Sequence, residues 1–492
     1  MKNIERNKKR SVGTNVALNI VKSISQLFLP LITYPYLLRI LGADNIGKVS
    51  YGSAIISYFS LFAVLGTNIY AVRESSKIRD NKDKINEFAS QIFLINIFFT
   101  VLSYFFLFLL VTFDAGVHEY ALLLLIQSVA IISSAISLEW INSVFEDYLF
   151  ITIRSVIINL IQIFLFFIFV HKKTDYYWYA GIQTLAIFLV AFMNWIYCRK
   201  YISLRIPQRI DFFKHVKPLI ILFSNNIAVQ IYMNIDTVML GRMTSNQCVG
   251  LYAAATKIYS LIKNILASVY IVPLSRMTYY YAHGKKKEFK LLYTNVVSFL
   301  TIIIIPAATG MFVLSKGLMY LLGGAEYLDA EITLKILSVS LVFALYGGII
   351  TQCYNIVVSK EKINLQATTL SALIDFLLNI FMINQFTFNG AAFTTLLAEA
   401  FVLLYCFVRI DNKKELFLWK DIRSSGIHAI IGSISIVIIS YIFRFCFDNL
   451  VVYTLTVCLF SVIVYFIELI LLKDKIFINV LSRFGIYKKK II

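Results

Sequence analysis

Four basic residues stand inside long apolar stretches, where a cation is costly: Lys22, Lys257, Lys263 and, less deeply, Arg154. An ammonium or guanidinium in hydrocarbon needs a hydrated cavity or an acidic partner. Several cations around one cavity with few anions favour an anionic ligand such as a phosphate. Spacing supports a cavity. Asn15, Asn19, Lys22 and Gln26 follow one another at four, three and four residues, which on a helix puts them on one face. Lys257, Ser260, Asn264 and Ser268 form a second stripe, and Lys263 lies about 100° round the helix from Asn264. Lys22, Lys257, Lys263 and Arg154 are therefore the substrate-binding candidates. Asn15, Asn19, Gln26, Ser260 and Asn264 are candidates for the polar lining.

Acids in apolar stretches are the second group: Asp236, Asp375, Glu399 and, near a span end, Glu468. Thr368, Ser371, Asp375 and Asn379 share one helical face, and Thr395 and Glu399 are four apart. Such acids either carry a coupling ion, a proton or sodium, or pair with the buried cations. Asp236 lies a turn before a span end, which also suits a surface or capping role. Pro30 and Pro35 are candidate hinges, because a proline frees a backbone carbonyl and bends a helix.

Enzyme chemistry finds no support. There is no GxSxG, HExxH, P-loop or DxD cluster. The six cysteines have no CxxC pairing and no histidine at ligand spacing, and they read as small apolar helix residues. The five histidines lie in loops or at span ends without metal partners. No catalytic set, metal or cofactor is expected beyond the coupling ion.

The elements that must hold these groups are membrane helices. The chain is 59% hydrophobic and 15% charged, with a mean hydropathy of +0.77. A soluble domain carries about 25% charged residues. Fourteen apolar stretches lie between residues 12 and 472, each near the length of about 20 residues that a span needs. The fold expected is an all-α polytopic membrane protein. Most basic residues fall in alternate loops, so the net charge of +19 reads as topology and not as nucleic-acid binding. That bias places both termini in the cytoplasm. The acidic loop at residues 139–147 does not follow it, and acids weigh little in the rule. Met1 to Arg10 is basic without a cleavage site, so the first span is expected to be retained.

A shift of 203 residues lays Arg39 on Arg242, Gly47 on Gly250, Ser57 on Ser260 and Arg73 on Arg276, all near ends of equivalent spans. Six spans per repeat keep the halves in one orientation, with a pseudo-twofold axis along the membrane normal. The expected organisation is a six-helix bundle at 1–200, a basic cytoplasmic linker at 201–215 and a second six-helix bundle at 216–410. Two extra helices and a basic tail fill 411–492.

The chain resembles the Wzx-type oligosaccharide flippases, in the polysaccharide transporter branch of the multidrug/oligosaccharidyl-lipid/polysaccharide exporter superfamily. The resemblance runs from about Arg10 to Ile410. It is carried by Leu29-Pro30, by Tyr36 to Arg39 and by Leu41-Gly42-Ala43-Asp44-Asn45-Ile46-Gly47. It continues in Asn234 to Gly241, Val249 to Lys257, and Asn389-Gly390-Ala391-Ala392 with Thr395 and Glu399. It implies paired helical bundles around a cationic central cavity and alternating access in the bacterial cytoplasmic membrane. The implied substrate is an oligosaccharide repeat unit on undecaprenyl pyrophosphate. Membrane lipids, a polysaccharide polymerase and glycosyltransferases are the implied partners, and the chain is expected to work as a monomer. Rivals are a cation antiporter of the same superfamily, a flippase for lipid II or teichoic-acid-type lipids, and a polytopic polymerase. An antiporter wants deep acids in the first half, and none is present there. A polymerase wants a large outer loop, and none is long enough.

Overall fold

The computed structural model describes residues 12–207, 211–411 and 413–483, and the side chains of residues 12–31 and a few others lie outside that description. Among the described residues there is no strand. In unit 1 the helices are α1 (Val12–Val64), α2 (Thr67–Ser75), α3 (Lys82–Phe113), α4 (Ala115–His118), α5 (Ala121–Ile136), α6 (Glu139–Val144), α7 (Tyr148–Phe169) and α8 (Tyr176–Cys198). Next come α9 (Phe212–Met243), α10 (Asn246–Ile271), α11 (Leu274–Ala282), α12 (Lys286–Val313), α13 (Ser315–Gly323) and α14 (Glu331–Ile349). The rest are α15 (Glu361–Val408), α16 (Lys413–Leu416), α17 (Trp419–Cys446), α18 (Leu450–Leu471) and α19 (Lys475–Arg483). The chain forms two compact units, residues 1–238 and 239–492.

Twelve helices among the described residues are long and apolar enough to cross a membrane. The sequence leads one to expect fourteen. Two of the long helices break internally. Helix α1 departs from helical geometry at Gly42 (φ 74°, ψ 169°), a region open essentially to glycine alone. Helix α15 departs at Thr387 (φ 51°, ψ −128°). At 53 and 48 residues, each is about twice the length of one span.

The break in α1 corrects the hinge reading of Pro35. The described backbone stays helical through Pro35 and turns at Gly42 instead. Around the turn Leu41, Ala43 and Ile46 are buried, and Asn45 Nδ2 donates to the carbonyls of Leu41 (3.0 Å) and Lys173 (2.9 Å). The motif from Leu41 to Gly47 is thus a glycine turn, an apolar plug and an amide that ties the turn to a neighbouring loop. Pro30 lies outside the described side chains.

Unit 1 packs its core at one end from α2, α3, α6 and the start of α9. Tyr70, Ile85, Ile92, Trp140, Ile141 and Leu219 belong to that cluster. Residues entering the expected linker are part of the packing. Ile202 is buried, Ser203 N donates to Asn86 Oδ1 at 2.8 Å, and Arg205 N donates to Ser90 Oγ at 3.0 Å. The division between units falls within α9.

Unit 2 packs α14 along α15 and α12 along α17. Beyond the break in α15, Gly390 sits where a Cβ would collide with the Met382 carbonyl oxygen. Ala391 and Ala392 are fully buried, and Asn389 Oδ1 accepts from Thr333 Oγ1 at 2.7 Å. These small residues let the two arms of α15 close on each other. Element order also recurs between units: a nine-residue helix (α2, α11) precedes a long one (α3, α12) in both.

Candidate functional site

Helix α10 carries the polar centre of unit 2. Ser245 caps it, its side chain accepting from Cys248 N at 3.4 Å. Val249, Leu251, Ala254, Ala255 and Ile258 are buried and form its packed side. Lys257, Ser260 and Lys263 are half-buried, while Asn264 and Ser268 are exposed. The expected stripe is therefore the open side of the helix, as the spacing implies. Ser260 Oγ donates to the Lys257 carbonyl at 3.1 Å, inside its own helix.

Lys263 does not stand alone. Its Nζ lies 2.6 Å from Glu399 Oε1, and Glu399 is buried on the second arm of α15. Tyr259, one turn back on α10, donates its hydroxyl to the same carboxylate oxygen at 3.2 Å. The Lys263 ammonium also lies 5.3 Å from the Tyr259 ring centroid. One carboxylate thus holds an ammonium and a phenol, and the ring face adds a cation–π contact. The pair satisfies the need for compensation that the sequence raised, and Lys263 is held by an acid in this structure.

The two arms of α15 deliver Glu399. Ser371 Oγ donates to the Ala398 carbonyl at 2.9 Å, and Thr394 Oγ1 donates to Asn379 Oδ1 at 2.7 Å. Asp375 lies between Ser371 and Asn379 on the same buried face. Thr395 Oγ1 and Tyr252 Oη are 3.1 Å apart, a second polar tie between α15 and α10.

Arg154 is corrected. Its side chain is fully buried in unit 1, and Nη2 lies 2.6 Å from Glu139 Oε1. Its guanidinium is 5.6 Å from the Phe150 ring centroid. Enclosed by the fold and neutralised by an acid, it is a structural ion pair and is not open to substrate. On α6, the helix that carries Glu139, Asn142 Nδ2 donates to Asn194 Oδ1 at 2.6 Å. Asp236 is also buried, on α9 in unit 1, and is not the surface group that its position suggests. Lys22, Asn15, Asn19 and Gln26 lie outside the described side chains.

Sequence reasoning missed Tyr259 and Tyr252. A signal was present for the first, since Tyr259 stands four residues before Lys263 and shares its face.

Comparison with known proteins places this architecture. The chain is 27% identical over 425 residues to the "Putative O-antigen transporter" of Escherichia coli (strain K12), covering 82% of this chain and 98% of that protein. In fold it is similar to the solved structure of lipid II flippase MurJ in an inward closed conformation, with a TM-score of 0.76 at 20% identity. That match covers 94% of this chain and all of the other. An inward-facing multidrug resistance MATE family transporter matches at a TM-score of 0.54 and 14% identity, over 82% of this chain and 97% of its own. The MatE family matches residues 221–382. Fold, family matches and relatives together define a polytopic helical transporter of the multidrug/oligosaccharidyl-lipid/polysaccharide exporter superfamily, and not an enzyme. The Polysacc_synt family, described as polysaccharide biosynthesis protein, matches residues 12–279, more than half the chain. The chain belongs to that family.

Proposed function

We propose that this chain flips oligosaccharide repeat units carried on undecaprenyl pyrophosphate. It moves them from the inner to the outer leaflet of the bacterial cytoplasmic membrane by alternating access, with both its termini in the cytoplasm. Unaided, a pyrophosphate and a hydroxyl-rich glycan cannot cross hydrocarbon, because each unsatisfied polar group costs about several kcal/mol.

The observation that carries this reading is the double character of α10. One part of the helix bears Lys257 and Lys263. The same helix lends Ile262, Ile265 and Leu266 to an apolar groove of about 730 Å³, completed by residues of α12, α13, α17, α18 and α19. A pyrophosphate head and a prenyl tail ask for those two chemistries side by side. Lys257, half-buried on the open side of this helix, is the phosphate contact assigned to it. A proton or sodium ion coupled through Asp236, Asp375 or Glu399 would drive the cycle. Glycosyltransferases supply the substrate and a polymerase consumes the product, and the chain works as a monomer.

The MatE match gives the cation-antiporter reading some footing. Lys257 lies inside the matched stretch, where its positive charge disfavours a cationic drug. A lipid II-type flippase differs from the proposal only in the glycan.

Complementation tests the reading. In cells lacking the protein, Lys257→Ala restores less surface polysaccharide than wild type at equal membrane abundance, and Lys257→Glu restores less still. Full polysaccharide from both variants would remove the cationic contact from the account.

A further inference from the structure

Unit 1 holds a second polar constellation, at the span ends that the charge bias assigns to the outside. Past the Gly42 turn, Asp44 and Lys48 sit one helical turn apart and pair at 2.8 Å. Lys48 Nζ lies 5.5 Å from the ring centroid of Tyr176, and Tyr176 packs on Tyr177 with centroids 4.1 Å apart. Beneath them, Tyr51 is buried and meets Tyr120 edge-on at 5.2 Å.

The surrounding chain fixes these groups. Asp175 Oδ2 accepts from the backbone N–H groups of His171 and Lys172, each at 2.9 Å, which closes the turn before Tyr176. Asn45 ties the Gly42 turn to Lys173 at 2.9 Å. Aromatic rings at a membrane interface commonly serve as a lipid-facing belt. Trp178 fills that role here, exposed and stacked on the exposed Phe169 at 5.1 Å. It lies about 200° round α8 from Tyr176. Tyr176 turns the other way, toward the Lys48 ammonium and its Asp44 partner, where a lipid anchor has no use for it.

Half-buried rings flanked by a carboxylate and an ammonium match the surface of a pyranose. Such a sugar has an apolar face of C–H groups that stacks on a ring, and a rim of hydroxyls that bond to carboxylates and ammonium. We propose that Asp44, Lys48, Tyr176 and Tyr177 form a glycan-binding subsite that receives the sugar head of the substrate on the outer side. This rests on the flippase reading, which supplies a glycan emerging there. The subsite reads sugar and leaves the pyrophosphate to other residues.

The test uses the full-length protein in detergent. It is mixed with equal amounts of undecaprenyl pyrophosphate and of lipid-linked oligosaccharide extracted from cells that make the polysaccharide. Native mass spectrometry then counts the bound species. Wild type retains the glycan-bearing lipid over the bare one. The double variant Tyr176→Ala, Tyr177→Ala lowers that preference about tenfold, the size of one lost aromatic stacking contact, and binds the bare lipid as before. Asp44→Asn, at an exposed position that leaves the bundle intact, shifts the preference in the same direction. Tyr176→Phe and Trp178→Ala keep it. An unchanged preference in the double variant and in Asp44→Asn overturns the subsite, as does an equal loss of both lipids. Wild type binding both lipids equally refutes the subsite alone. Wild type binding neither refutes the flippase reading and the subsite with it.

Discussion

Lys263 Nζ and Glu399 Oε1 lie 2.6 Å apart although 136 residues separate them in the chain, and their contact joins α10 to the second arm of α15. A buried acid holding a half-buried ammonium is most sensitive to the loss of one partner, which leaves the other charge uncompensated. Lys263→Met or Glu399→Leu alone should lower stability by about 3–5 kcal/mol. The double variant Lys263→Met, Glu399→Leu should recover most of that loss, because no charge is left over. Thermal unfolding of the detergent-solubilised protein measures the cycle. Strictly additive losses would mean that the two side chains do not depend on each other.

Gly390 gives a steric prediction. Its missing Cβ leaves room for the Met382 carbonyl oxygen, which is backbone and cannot rotate away. Gly390→Ala should therefore destabilise by about 1–3 kcal/mol through overpacking. Gly426, helical on α17 with open space at its Cβ, is the control. Gly426→Ala should be neutral or stabilising by about 0.4–1 kcal/mol. Equal melting shifts for the two would contradict the close approach in α15.

Arg154 separates structural from transport roles. Arg154→Ala strands Glu139 in a half-buried position and should reduce the folded yield. Whatever protein folds should bind undecaprenyl pyrophosphate as wild type does, whereas folded Lys257→Ala should bind it less. Binding by equal amounts of purified protein distinguishes the two, and reduced binding by folded Arg154→Ala would return that residue to the substrate.

The spans were legible because runs of Leu, Ile and Phe can be read without tertiary knowledge. The open stripe of α10 was legible too, since Lys257, Ser260 and Asn264 recur at helical spacing. What the residues could not say is which acid answers which cation. Lys263 had Asp236, Asp375 and Glu399 to choose from, and only the folding back of α15 at Thr387 selects Glu399. Arg154 looked like a ligand because its acid lies 15 residues upstream on α6, a separate short helix entered through the left-handed Leu138 (φ 47°). Pro35 drew attention as a bend, yet the turn needed a φ that only Gly42 takes without strain. The outer glycan subsite left no local pattern, since the Asp44–Lys48 pair and Tyr176 come from separate segments.

Depletion of the protein, followed by locating the lipid-linked repeat unit in membrane vesicles, tests the flipping claim most directly. Inside-out and right-side-out vesicles are treated with a reagent that labels glycans and does not cross the bilayer. The account predicts that the accumulated repeat unit is labelled in inside-out vesicles and protected in right-side-out ones, and that the wild-type chain reverses this while Lys257→Glu does not. Repeat units labelled equally in right-side-out vesicles from depleted cells would contradict it, since they would have reached the outer leaflet without this chain.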